Sequence, residues 1–173
     1  MRGDAGTPEI IGWFEQEKKK GEPYIRILSM LEGLLSENGT EAGLMSALRE
    51  KAEGGDPDAQ FAIGLATQYG VGTLMSYDEA IEWYSRAMSQ DHPLALHKMG
   101  VRYMLGSDVP MSGKKAIKLF KRASDLGLAE ASKEIAWMYS TGTGVTYSEP
   151  EAFRWTLKAA KQGDAEAQAD VGY

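Results

Sequence analysis

Few side chains in this sequence of 173 residues are of the kinds that do chemistry. The histidines are His92 and His97, five residues apart. His92 precedes Pro93, so a connection separates it from the segment that carries His97, and the two do not share a helix face. A zinc site or a Ser-His-Asp triad needs further partners that this spacing does not supply. Both histidines therefore read as surface residues. Gly70-Val71-Gly72 and Gly142-Thr143-Gly144 resemble phosphate loops, but each follows a helical pattern and lacks the Gly-Lys-Ser/Thr ending. They read as inter-helix turns. Asp and Glu are numerous and spread over solvent faces, with no isolated pair for acid–base work. Arg2-Gly3-Asp4 sits in a terminal tail. No catalytic residue, cofactor site or metal site emerges, and the chain reads as non-enzymatic.

The elements that hold these residues follow a period of 36. Ala59, Ala95, Ala131 and Ala167 share one register. So do Gly70, Gly106 and Gly142, and then Ser76, Ser112 and Ser148. Ala80, Ala116 and Ala152 form another register, and so do Ala87, Ala123 and Ala159. Gly64, Gly100 and Gly172 agree, with Ala136 in the third copy, and Trp83, Leu119 and Trp155 share a large apolar position. A fixed period of this length marks stacked repeats. Each copy reads as two helices. Asp56 caps the first, with Pro57 in its opening turn. Ser76 caps the second, and Glu79 completes a capping box, as Glu151 does after Ser148. Lys115 breaks the box after Ser112. Gly64, Ala80 and Ala87 mark close helix crossings, and Tyr84, Phe120, Trp83 and Trp155 fill the remaining space.

These residues resemble the Sel-1-like repeat, a relative of the tetratricopeptide repeat. The third copy carries Ala131, Ala136, Tyr139, Gly142-Thr143-Gly144-Val145, Ala152, Trp155, Ala159-Ala160 and Gln162-Gly163. The first carries Ala59, Gly64, Gly70, Gly72, Ala80, Trp83-Tyr84 and Ala87, and the second is weaker, with Gly106-Ser107-Asp108-Val109 in its loop. The resemblance implies an all-α, right-handed α/α superhelix, or solenoid, that serves as an adaptor or scaffold.

The copies are expected at 55–90, 91–126 and 127–162. Residues 1–54 are expected to hold atypical helices: one at 8–20, then an eroded repeat over 23–54 acting as a cap, turning at Ser36-Glu37-Asn38-Gly39. Residues 163–173 are read as a partial fourth copy or a C-terminal cap, with a partial or cut copy favoured.

Composition bounds the rest. The net charge of −6 argues against binding nucleic acid through phosphates. The Lys18-Lys19-Lys20 run reads as a solvated helix end. The absence of cysteine excludes disulfides and thiolate metal sites. No apolar run reaches membrane-spanning length. The expected location is cytoplasmic, or periplasmic if a leader has been removed. Short, insertion-free copies point to a bacterial source.

The resemblance places the first helices on a concave face. Counting round them gives an exposed stripe of Phe61, Leu65 and Gln68, bordered by Tyr69. Its equivalents are His97, Val101 and Met104, then Lys133, Trp137 and Ser140. Such a stripe can line a groove for a peptide or helix, or can pack between neighbouring first helices. Trp137 is the expected anchor. The leading reading is an adaptor binding a protein or peptide partner. An immunity-type protein that blocks one basic enzyme is the second, and a cell-envelope or peptidoglycan-associated factor is the third.

Overall fold

A computed structural model describes residues 7–172, and the Arg2-Gly3-Asp4 tripeptide lies outside them. The described residues are helical, without strands. They fall into two compact units that divide after His92.

In the first unit, α1 (Glu9–Glu17) runs into a 3-10 turn at Lys18–Lys20, followed by α2 (Glu22–Asn38), α3 (Glu41–Glu53), α4 (Pro57–Tyr69) and α5 (Tyr77–Ser89). The three lysines are exposed, as expected, and Lys18 pairs with Glu15 at 2.5 Å. Residues 22–53 do form a helix pair, but its turn is shorter than the sequence implies. α2 continues through Ser36-Glu37-Asn38 and stops at Gly39, whose φ of 70° closes it. Asn38 contributes by donating its side-chain amide to Leu34 O within the last turn, at 2.8 Å.

In the second unit, α6 (Pro93–Leu105) pairs with α7 (Gly113–Asp125), and α8 (Ala129–Thr141) with α9 (Glu149–Lys161). α10 (Ala165–Val171) then packs on α9.

The crossings are set by a size exchange between two registers. A Cβ added at Gly64 would stand 2.9 Å from Tyr84 Cε1, and one at Gly100 would stand 2.5 Å from Phe120 Cε1. Tyr84 and Phe120 are fully buried, so neither ring has room to retreat. In the third copy the ring's register holds Thr156, and the glycine's register holds Ala136. Where the opposing residue is threonine instead of a ring, alanine takes the place of glycine.

The caps form as expected at one end of each bond. Asp56, Ser76, Ser112 and Ser148 accept from the backbone N–H three residues on, at 2.9, 3.2, 3.3 and 3.4 Å. The reciprocal half of the capping box is absent. Ser76 N–H donates to Thr67 O, and Ser148 N–H to Tyr139 O, across the inter-helix turn. With that donor satisfied, Glu79 instead accepts from Arg49 at 2.8 Å and from Trp83 Nε1 at 3.2 Å. These bonds hold its carboxyl below the usual range.

Glutamine side chains tie successive helix pairs within each unit. Gln90 donates to Gly55 O and to Gln60 Oε1, both at 2.9 Å. Two periods later, Gln162 donates to Ser124 O at 2.7 Å and accepts from Ser132 Oγ at 2.6 Å. In the loop of the second copy, Asp108 occupies the register of Gly72 and Gly144 and shares their left-handed backbone, with φ of 61°. Asp is among the few residues that tolerate this region, and its carboxylate accepts from Arg102 at 3.1 Å.

Candidate functional site

The expected stripe divides into buried and accessible parts. In the first unit, Phe61 and Leu65 are each 1% exposed. They are not the solvent-facing residues that the helical count implies. The physical reason is the atypical N-terminal segment. Phe14 of α1 meets Phe61 edge-on at 6.4 Å, and Tyr84 and His92 approach the same ring at 5.5 and 5.1 Å. Gln68 is half-buried and accepts from Tyr84 Oη at 2.8 Å. Tyr69 is exposed at 55%.

Beside these residues lies a pocket of about 440 Å³. Glu9, Ile10 and Trp13 form one wall, and Leu65, Tyr69 and Val71 form the other. The walls follow from helical spacing. Glu9 and Trp13 stand one turn apart on α1, and Leu65 and Tyr69 one turn apart on α4. Trp13 is braced by Phe14 at 4.8 Å and Tyr24 at 6.3 Å. Val71 is placed by its N–H, which donates to Ala66 O in the closing turn of α4.

In the second unit, Met104 is buried, which removes it from an exposed stripe, and Val101 is half-buried. His97 is half-buried between the Phe120 ring at 5.7 Å and Glu134, whose carboxylate lies 3.6 Å from Nε2. Lys133 bridges to Glu166 and to Asp164, the latter at 3.4 Å. Burial opposes the charge on Lys133, but these carboxylates outweigh it and raise its pKa. Ser140 is exposed, and its hydroxyl donates to Trp137 O. Trp137 itself is 45% exposed.

His92 is not the surface residue that the sequence implies. It is 3% exposed, stacks on Phe61 and bonds through Nε2 to Asp58 Oδ1 at 2.9 Å. Arg26 of α2 grips the same carboxylate through Nε at 2.5 Å and Nη2 at 2.8 Å. Burial alone would raise the Asp58 pKa. The bonds from His92 and Arg26 more than offset it and bring the group down to about 2. One sequence signal pointed here: His92 stands in the N-cap register where Asp56 and Asp164 are found. This network joins α2, α4 and the end of the first unit, and its imidazole is shut off from solvent. Among the described residues, no three His, Asp or Glu side chains are grouped to hold a metal ion, and no helix is long and apolar enough to cross a membrane.

The Sel1 repeat profile matches residues 57–92, 93–128 and 129–164. The chain belongs to the Sel1 repeat family. The Sel1 fold extends to solved structures. A Sel1 repeat protein from Oxalobacter formigenes shares 25% identity at a TM-score of 0.76, covering 96% of this chain and 74% of that one. A protective antigen of uropathogenic Escherichia coli with an SLR fold shares 28% identity at a TM-score of 0.72. That match covers 94% of this chain but 35% of the antigen, so this chain spans about a third of its length. Cysteine rich protein B of Helicobacter pylori, at 16% identity and a TM-score of 0.59, agrees in fold alone; 76% of this chain and 98% of that one are covered. These sources fit a bacterial Sel1 protein. No curated protein matches the sequence significantly. Sel1 repeats are in general helical scaffolds for protein–protein interaction.

Proposed function

We propose that this Sel1 protein is a non-catalytic adaptor that binds a peptide or helix of a partner protein on exposed side chains of its first helices. Trp137 carries the reading. Trp83, Tyr84, Phe120 and Trp155 are buried, whereas Trp137 is 45% exposed on α8, the first helix of its repeat; the exposed aromatics Tyr77, Tyr147 and Phe153 lie off the first helices. Its register partners Val101, one repeat earlier, and Leu65, two repeats earlier, are half-buried and buried. A rigid helical surface that presents a large aromatic loses little freedom on binding. Tyr69 on α4 offers a second exposed aromatic within its own unit.

The test is selection of peptides from a displayed library against the folded chain, repeated with Trp137→Ala and Tyr69→Ala. The reading expects enriched peptides whose affinity falls at least tenfold in one of these variants. Enrichment that neither variant alters would place binding elsewhere, and no enrichment at all would remove the adaptor reading. The charge distribution supports a second reading, a stoichiometric inhibitor of one basic enzyme. Residues 1–92 hold 16 Asp and Glu against 8 Lys and Arg, a net −8. A single partner bound one to one, with loss of that partner's activity, would select it.

A further inference from the structure

We infer that the pocket between α1 and the end of α4 receives one lysine or arginine side chain from a basic segment of a protein partner. The inference rests on the proposed interaction role and names the chemistry of that partner. Three observations carry it. The lining combines a carboxylate, two aromatic side chains and an apolar remainder. A long cationic side chain has the same composition in reverse: an apolar stem ending in a charge. Ile10, Leu65 and Val71 match the stem, Trp13 and Tyr69 place aromatic rings in the lining, which attract a cation, and Glu9 offers the opposite charge. Second, the aromatic wall is already held in place, since Trp13 rests against Phe14 and Tyr24. Third, the unit that contains the pocket is the acidic one. Residues 1–92 carry a net −8, whereas residues 93–173 carry 11 Lys and Arg against 9 Asp and Glu, a net +2. Cationic segments are drawn toward the first unit by its overall field. An anionic ligand would meet the carboxylate of Glu9 and that same field. A wholly apolar one would gain nothing from the carboxylate of Glu9 at the pocket wall.

The experiment is a titration of the full chain with pentalysine, followed by amide and indole NMR, beside penta-norleucine and free lysine amide. Trp13→Phe assigns the Trp13 indole signal. The expected result is saturable shifts centred on Glu9, Trp13 and Tyr69 with pentalysine, and much weaker shifts with the other two probes. Glu9→Gln should weaken pentalysine at least fivefold, and Tyr69→Ala about as much. Glu53→Gln removes the same charge from an exposed position outside the lining and should change the affinity less than twofold. Equal weakening by Glu9→Gln and Glu53→Gln would mean diffuse electrostatic attraction and would overturn the inference. Equal binding of penta-norleucine would make the pocket merely apolar, and equal binding of lysine amide would make it a small-molecule site; either result overturns it too. Library peptides that depend on Trp137 but not on Glu9 would leave the adaptor role standing and remove this site alone.

Discussion

Alanine at Gly100 should destabilise the protein, against the intrinsic preference of a helix interior. Gly100 lies in the middle of α6, where Gly→Ala ordinarily gains about 0.5–1 kcal/mol. Here the new methyl would sit 2.5 Å from Phe120 Cε1 and 2.7 Å from Cδ1. Phe120 is fully buried, so relief requires moving the helices or straining the ring, at about 1–3 kcal/mol. The net expectation is a loss of up to about 2.5 kcal/mol after the helical gain is deducted. Phe120→Ala alone should cost about 3–5 kcal/mol through the cavity it leaves. In that background the clash is gone, and Gly100→Ala should become stabilising by up to about 1 kcal/mol. The assay is urea unfolding of the four proteins of this cycle, followed by far-ultraviolet circular dichroism. The sign reversal is the decisive feature, with a coupling of about 2 kcal/mol between the sites. Stabilisation by Gly100→Ala in the wild-type background would refute the crossing argument.

Asp58→Asn should flatten the acid side of the stability profile. The carboxyl falls from 3.8 to about 2 on folding, so its contribution is complete above about pH 4 and is lost as pH drops toward 2. That contribution is at most about 2 kcal/mol, and urea midpoints at pH 6, 4 and 3 should converge between wild type and variant as pH falls. Trp155→Ala should cost about 3–5 kcal/mol, because the ring is 6% exposed and lies under Lys158 at 4.9 Å. Trp137→Ala should cost under about 1 kcal/mol by the same urea unfolding, since much of its surface is already in water. Ser132→Ala should cost about 1–2 kcal/mol, because it removes the hydroxyl that joins Ser124 and Gln162.

Much of the fold was legible because repetition multiplies weak local signals. One Asp-Pro pair or one Ser cap says little, but the same residue at the same place in consecutive copies fixes helix starts at Asp56, Ser76, Ser112 and Ser148. Gly64 was legible as a crossing for the same reason, and Gly100 shares its register. The accessible surface was less legible, because it depends on what packs against a helix and not on its own period. Counting round α4 places Phe61 and Leu65 beside Tyr69, yet Phe14 of the non-repeating segment approaches Phe61 and the α1 residues Ile10 and Trp13 share a pocket with Leu65. His92 was misread because its neighbour Pro93 suggested a connection in solvent. Its side chain turns inward to a carboxylate 34 residues away, a pairing that local pattern does not encode. Glu9 and Trp13 drew no attention as a site because the opposite wall comes from residues 65–71.

The central claim is that exposed aromatics on the first helices are an interaction surface and not surplus core. The most direct measurement is the affinity of a library-selected peptide for the native chain and for Trp137→Ala and Tyr69→Ala, each shown by circular dichroism to keep its helix content. The account predicts an unchanged fold with at least a tenfold loss of affinity in one variant. Unchanged affinity in both folded variants would contradict it.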